Sequence, residues 1–161
     1  MVPALPDDFA RAVLVNTSAG DASLPFRRVQ PRNLVTFARI ALARDLRARE
    51  GLVLEMTSRG AGDAALLAAW EAIAREAAMS PADQLRQIAA ALRFRAPRAL
   101  PIPALFLAST ADGLVHHSCS ATLARRYRAP LALHGAAGHD LTLDDPAWVS
   151  DQIAAWLRGR S

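Results

Sequence analysis

The chain has 161 residues, 52% apolar and 21% charged, a balance that describes one globular domain with a real core and excludes a disordered chain. Its formal charge is +4, with all 19 basic residues arginine against 15 acids. No apolar run approaches the ~18 residues of a membrane span, and the single cysteine, Cys119, excludes an internal disulfide framework and a multi-cysteine metal site.

Residues 1–9 hold two prolines, two aspartates and no basic residue, unlike a secretory signal, so the expected compartment is the cytoplasm. Arg11 to Asn16 is a short, mostly apolar run that ends in the turn cluster Thr17-Ser18-Ala19-Gly20-Asp21. A run without alternation fits a strand covered on both faces, as in a parallel sheet. Residues 26–95 are read as helical. Leu34, Phe37, Ala38, Ala41 and Leu42 follow the 3.6-residue period; so do Leu66, Trp70, Ile73, Ala74 and Ala77, and again Leu85, Ile88, Ala89 and Leu92. Ser80 and Pro81 mark a helix start. Leu46 to Met56 stays ambiguous, because Gly51 weakens a helix that Leu52, Val53 and Met56 would otherwise bury. Ala104 to Ala108 predicts a buried strand, Ser118 to Tyr127 a helix, and Pro130 to His134 a second strand. Asp145-Pro146 opens a last helix with Val149, Ile153, Trp156 and Leu157 on its apolar face. Strand–helix–strand–helix implies a right-handed crossover and a parallel sheet, so the fold class is α/β.

Arginines outnumber acids 14 to 10 over residues 1–100 and balance them 5 to 5 over 101–161. They are spread among acids without interleaved aromatics, which describes solvated helix faces. Neither nucleic acid nor membrane is an expected partner.

In an open parallel sheet, reactive groups gather at the carboxyl ends of the strands. Two candidates fall there: Asp112, within Ser109-Thr110-Ala111-Asp112-Gly113-Leu114-Val115, and His139, within Gly135-Ala136-Ala137-Gly138-His139-Asp140. An aspartate suits a histidine because it fixes the imidazole tautomer, and imidazole exchanges protons near neutrality. Taken singly, each residue also reads as a loop residue bonded to backbone.

The segment 101–157 resembles the C-terminal end of α/β-hydrolases, in the small-x-x-Asp-x-Leu/Val loop ending at Val115, in Gly138-His139-Asp140-Leu141, and in Asp144-Asp145-Pro146-Ala147-Trp148. More weakly, Ala12 to Ser18 resembles that family's sixth strand and 26–95 its helical cap insertion. The resemblance implies a single partial α/β-hydrolase domain over 1–161, with about three parallel strands flanked by helices. It gives Asp112 the role of triad acid and His139 that of general base, then acid. The implied substrate is a small molecule with an ester or other acyl bond, met in a pocket drawn from residues such as Leu34, Phe37, Leu66 and Trp70. No cofactor and no metal is implied.

The family carries its nucleophile in G-x-S-x-G, and no such pentapeptide occurs here. If Ala12 to Val15 matches the sixth strand, the elbow lies before Met1. The chain is then a hydrolase half, inactive alone, that pairs with a missing N-terminal half or with its own copy. Two alternatives stay open: a non-catalytic binding or assembly subunit, and a minimal hydrolase that uses Ser18 of Asn16-Thr17-Ser18-Ala19-Gly20. Against Ser18, Gly20, Asp21 and Pro25 interrupt the helix that should follow it. His116, His117 and His134 do not form a metal site with His139 on spacing alone, since adjacent histidines on a helix point apart. Cys119 and the three tryptophans read as packing residues.

Overall fold

Three parallel strands in the order β1–β2–β3 form the sheet in the computed structural model, which describes residues 9–60, 62–77 and 80–159. β1 (Ala12–Val15) pairs with β2 (Ala104–Ser109) from Ala12↔Ala104 to Val15↔Leu107. β2 pairs with β3 (Leu131–His134) from Phe106↔Leu131 to Ser109↔His134. This register brings the carboxyl ends of all three strands to one edge. β2 is central and all six of its residues are buried, which is why its sequence is apolar without alternation.

Among the described residues, five α-helices and a 3₁₀ turn (Pro31–Asn33) join β1 to β2: α1 (Pro25–Arg28), α2 (Leu34–Leu42), α3 (Leu46–Thr57), α4 (Ala64–Glu76) and α5 (Pro81–Arg93). The ambiguous stretch is helical. The Asp45 side chain caps α3 by accepting from the Ala48 N–H at 2.7 Å, and Leu54 is fully buried. Gly51 faces α4, where even a Cβ would stand at ordinary contact distance, 4.0 Å from both Leu67 methyls. Asp63 and Ser80 cap α4 and α5 in the same way.

After β2 come α6 (Ser118–Tyr127), the one-turn α7 (Leu141–Asp144) and α8 (Pro146–Arg158), which Asp145 caps through the Trp148 N–H. The two sheet faces bury separate clusters. Ala104 and Phe106 pack with Leu123 and Ala124 of α6. Leu105 and Leu107 pack with Ala137, Leu141 and Val149, against Trp148, Ile153 and Trp156 of α8. Leu157, placed on that apolar face by its period, is exposed instead.

Two features depart from a closed α/β unit. The Ala12 N–H bonds to Pro103, just before β2, and the Asn16 N–H to Leu107 of β2, so by alternation the Val13 and Val15 backbone groups face away from the sheet, along an edge that is open among the described residues. And the apolar stripe of α5 faces solvent, with Leu85, Ile88 and Leu92 each more than half exposed. The period in these helices is real, but among the described residues nothing covers the stripe.

Phe106→Ala should therefore lower unfolding stability by about 3–5 kcal/mol, while Leu85→Ala in the same chain should change it by no more than about 0.5 kcal/mol. Urea unfolding of the two variants checks both values.

Candidate active site

The backbone of the β2 carboxyl end turns sharply after Ser109 and presents Asp112. One carboxylate oxygen, Oδ1, accepts from the Leu114 N–H at 2.8 Å and the Val115 N–H at 3.0 Å. The other, Oδ2, lies 2.8 Å from Nδ1 of His139. The Asp112 side chain is 1% exposed and that of His139 29%. A carboxylate only accepts, so the proton of this bond is on Nδ1 of His139, and in the neutral ring that leaves the lone pair on Nε2. The two sequence candidates are thus brought together at the expected edge, with the carboxylate buried behind the imidazole.

Contacts from distant parts of the chain hold the two loops. Asn16, just past β1, has φ 43°, a left-handed conformation that asparagine tolerates. Its Oδ1 accepts from the Ser109 N–H at 2.9 Å, and its Nδ2 donates to the carbonyls of His139 at 2.6 Å and Gly138 at 3.3 Å. The fully buried Ser109 donates its hydroxyl to the Ala137 carbonyl at 2.5 Å. On the outer side, Gln30 donates to the Asp112 carbonyl at 2.8 Å and Asn33 to that of Gly113 at 2.7 Å.

The C-terminal end of α3 closes against the histidine loop. The Asp140 N–H donates to the Thr57 carbonyl at 2.7 Å. Gly138 is needed for this approach, since a Cβ there would stand 2.6 Å from the Thr57 oxygen. Asp144 accepts from the Ser58 hydroxyl at 2.5 Å, the Arg59 N–H at 2.9 Å and the Gly138 N–H at 2.5 Å. Burial pushes its carboxyl up, but Ser58 and the Gly138, Arg59 and Gly60 N–H groups together more than offset this and hold it below its ordinary value. The Arg59 guanidinium spans both loops, donating to Ala111 at 2.9 Å and Ala136 at 3.3 Å.

A cleft of about 340 Å³ opens beside His139, lined by Val15, Val53, Thr57, Trp70 and Leu141 among others. Trp70 thus faces the site rather than serving only as packing. Leu34, Phe37 and Leu66 do not line the cleft, and Leu34 is 64% exposed; α3 supplies the wall instead, through Val53 and Thr57.

Ser18 lies in irregular chain after β1, with Thr17 pinned to the Ser120 hydroxyl, and the next helix begins only at Pro25. The positive φ belongs to Asn16, not Ser18. A strand–turn–helix elbow is not built there. Among the described residues, no hydroxyl or thiol is hydrogen-bonded to the His139 ring. Cys119 is buried, as packing requires. His116 and His117 differ from expectation: they precede α6 rather than lying in it, so their rings stack at 4.3 Å instead of pointing apart. Among the described residues, no group of three or more histidine, cysteine, aspartate or glutamate side chains is placed to hold a metal ion, and no helix is long and apolar enough to cross a membrane.

Asp144 has a folded pKa below 3.8. The stability it contributes is therefore complete above about pH 4 and is lost as pH falls through the lower folded value. Asp144→Asn should cost about 2 kcal/mol at neutral pH, because three donors lose a charged acceptor. The gap from the unsubstituted chain should close in strong acid. Denaturation midpoints of both proteins across pH 2–7 measure it.

No protein-family model matches the sequence, and no curated protein matches it. Solved structures do. A thermophilic esterase is 16% identical at TM-score 0.64, with 96% of this chain and 58% of that chain covered. The esterase RhEst1 from Rhodococcus sp. ECU1013 is 21% identical at TM-score 0.62, covering 92% and 56%. A meta-cleavage product hydrolase from Pseudomonas fluorescens IP01 is 19% identical at TM-score 0.64, covering 94% and 56%. The chain spans a little over half the length of these structures, and its fold is that of the C-terminal half of an α/β-hydrolase.

Proposed function

We propose that this chain supplies the acid and the base of an acyl-bond hydrolase whose nucleophile and oxyanion donors come from a polypeptide segment outside these residues. The observation that carries the reading is the Asp112–His139 pair: a buried carboxylate 2.8 Å from Nδ1, with the Nε2 lone pair left beside an apolar cleft. A nucleophile hydroxyl within about 3 Å of Nε2 would give that nitrogen its proton as the oxygen adds to the acyl carbon. Asp112 stabilises the imidazolium through Nδ1–H. The acyl bond to the leaving group then breaks, and the leaving atom takes the proton from Nε2. Water repeats the sequence on the acyl-enzyme: its proton goes to Nε2, its oxygen to the acyl carbon. The proton finally returns to the nucleophile oxygen as the acid departs.

The same reading gives an occupant to the open surfaces. A segment that carries the elbow would pair along the free side of β1, where the Val13 and Val15 backbone groups face outward, and would cover the nearby apolar surface. The lengths of the solved relatives support this, since each extends well beyond the part this chain matches. The second reading, a non-catalytic assembly subunit, draws on the lack of any hydroxyl or thiol at the His139 ring among the described residues. The cytoplasm is the compartment we propose for either.

The isolated chain should turn over an activated ester no faster than its His139→Ala variant and should take no label from a serine-directed phosphonate. A label on Ser18 that Ser18→Ala removes would instead make it a minimal hydrolase. A product extended upstream in frame through a G-x-S-x-G segment should be active, with Asp112→Asn lowering kcat by about 10⁴-fold. Turnover indifferent to His139→Ala in that product would favour the assembly subunit.

The open β1 edge carries a separate expectation. The isolated chain should self-associate, because an unpaired apolar edge is a template for another strand. Sedimentation across a concentration series checks it, and a monomer throughout would count against the covering segment.

A further inference from the structure

His134 ends β3, five positions before His139, and its ring lies between the histidine loop and α8. Nδ1 is 2.8 Å from the Ala137 nitrogen and 3.1 Å from the Ala136 nitrogen. Backbone N–H groups only donate, so Nδ1 is the acceptor and the ring proton sits on Nε2. That nitrogen lies 3.2 Å from Oδ2 of Asp145 and donates to it. Oδ1 of Asp145 meanwhile accepts from the Trp148 N–H at 2.9 Å, and the Trp148 ring meets His134 edge-on at 5.0 Å. One imidazole therefore joins the turn before His139 to the first turn of α8.

We propose that His134 is a positioning residue: in its neutral Nε2–H form it fixes the turn Gly135–Gly138 that presents His139 to Asp112, and on protonation it releases that turn. A proton on Nδ1 would face two N–H donors, so both hydrogen bonds are lost and a cation is set against the positive ends of two peptide dipoles. Asp145 opposes this, since it would attract the cation. But Asp145 is on the Nε2 side, where a proton already resides, and its side chain is 39% exposed, so the added ion pair is weak. The Trp148 N–H is the first of the groups that hold Asp145 below its ordinary value, ahead of His134 itself, which leaves the carboxylate in place as an acceptor either way. The remaining charged groups bear on the turn and not on the ring: Arg59 donates to the Ala136 carbonyl and Asp144 accepts from the Gly138 N–H. From β2 and the residue after it, the Ser109 hydroxyl reaches the His134 and Ala137 carbonyls, the Thr110 hydroxyl those of His134 and Gly135, and the Thr110 N–H that of His134; none of them reaches the ring. Protonation thus costs two backbone bonds and gains a screened ion pair. The role given to His139 rests on the hydrolase reading, but the latch is read on the folded chain itself, so either fails without the other.

The test needs no nucleophile and uses the full chain. Long-range ¹⁵N correlation of the four histidine rings, assigned by single substitutions, should show His134 with a bare Nδ1 and a protonated Nε2 at about pH 8. Once the ring ¹⁵N shifts report a second proton on His134, the Ala136 and Ala137 amides should exchange roughly tenfold faster than intrinsic rates require, while β2 amides stay protected. In His134→Asn, the carboxamide oxygen stands the same number of bonds from Cα as Nδ1 and accepts the same two N–H groups, yet does not titrate. That variant should hold the turn over the whole range. His134→Leu should show the fast exchange at about pH 8 together with altered His139 ring shifts. An Nδ1–H tautomer for the neutral His134 ring, protection unchanged once the ring carries a second proton, or acid release in His134→Asn that matches the unsubstituted chain would each overturn the proposal. Should His134→Leu not fold, the comparison between the unsubstituted chain and His134→Asn decides it.

Discussion

The buried carboxamide of Asn16 ties the ends of β1 and β2 to the loop after β3. It follows β1 directly, accepts from the first N–H after the β2 apolar run, and donates to two carbonyls of that loop. Donor and acceptor groups at one point in the chain satisfy backbone groups that would otherwise be buried without partners. The left-handed backbone at Asn16 is what turns its side chain inward, and an aliphatic residue there would leave three polar groups unpaired. The spacing between Asp112 and His139 depends on this tie, because it fixes where the histidine loop stands relative to β2.

The helical insertion is a brace as well as a wall. Thr57, Ser58 and Arg59 follow one another at the end of α3, and each engages the histidine loop or the aspartate that closes it. Arg59 also reaches the carbonyl next to Asp112. Asp112 and His139 are therefore held to each other directly and also through a third element. Between the two loops lies Ser109, whose hydroxyl replaces a backbone bond that the diverging chains cannot make. A small side chain is required at that position, because it is completely enclosed.

Much of this was legible in the sequence where local chemistry decides it. A strand buried on both faces has to be apolar at every position, and Ala104 to Ala108 is. Ser80 and Asp145 announce helix starts because a cap acts within three residues. Asp112 and His139 were found by their order after successive strands. The stretch 46–57 was not, since Gly51 argues against a helix that packing against α4 nevertheless favours. Asn16, Arg59, Asp144 and His134 were missed as site residues for a different reason: Asn16, Arg59 and Asp144 bond partners more than fifty positions away, and His134 acts on a loop whose shape has no sequence period. The exposure of Leu85, Ile88 and Leu92 was illegible too. A helical period says that a face is apolar, not whether this chain covers it.

The pairing distances along the chain also set an order of assembly. β2 and β3 meet across about 25 residues, while β1 and β2 meet across about 90, and closing the longer loop costs roughly 1 kcal/mol more. The unit from β2 to α8 carries the buried members of one face's cluster, to which β1 adds only the partly buried Val15. On this loop-closure difference β1 should be the last strand to join and the first to leave. Fraying at that strand withdraws Asn16 from the histidine loop while Asp112, Ser109 and β3 are still in place. The geometry of the acid–base pair is therefore more fragile than the sheet beneath it, and mild heat or denaturant would loosen the site before unfolding the protein.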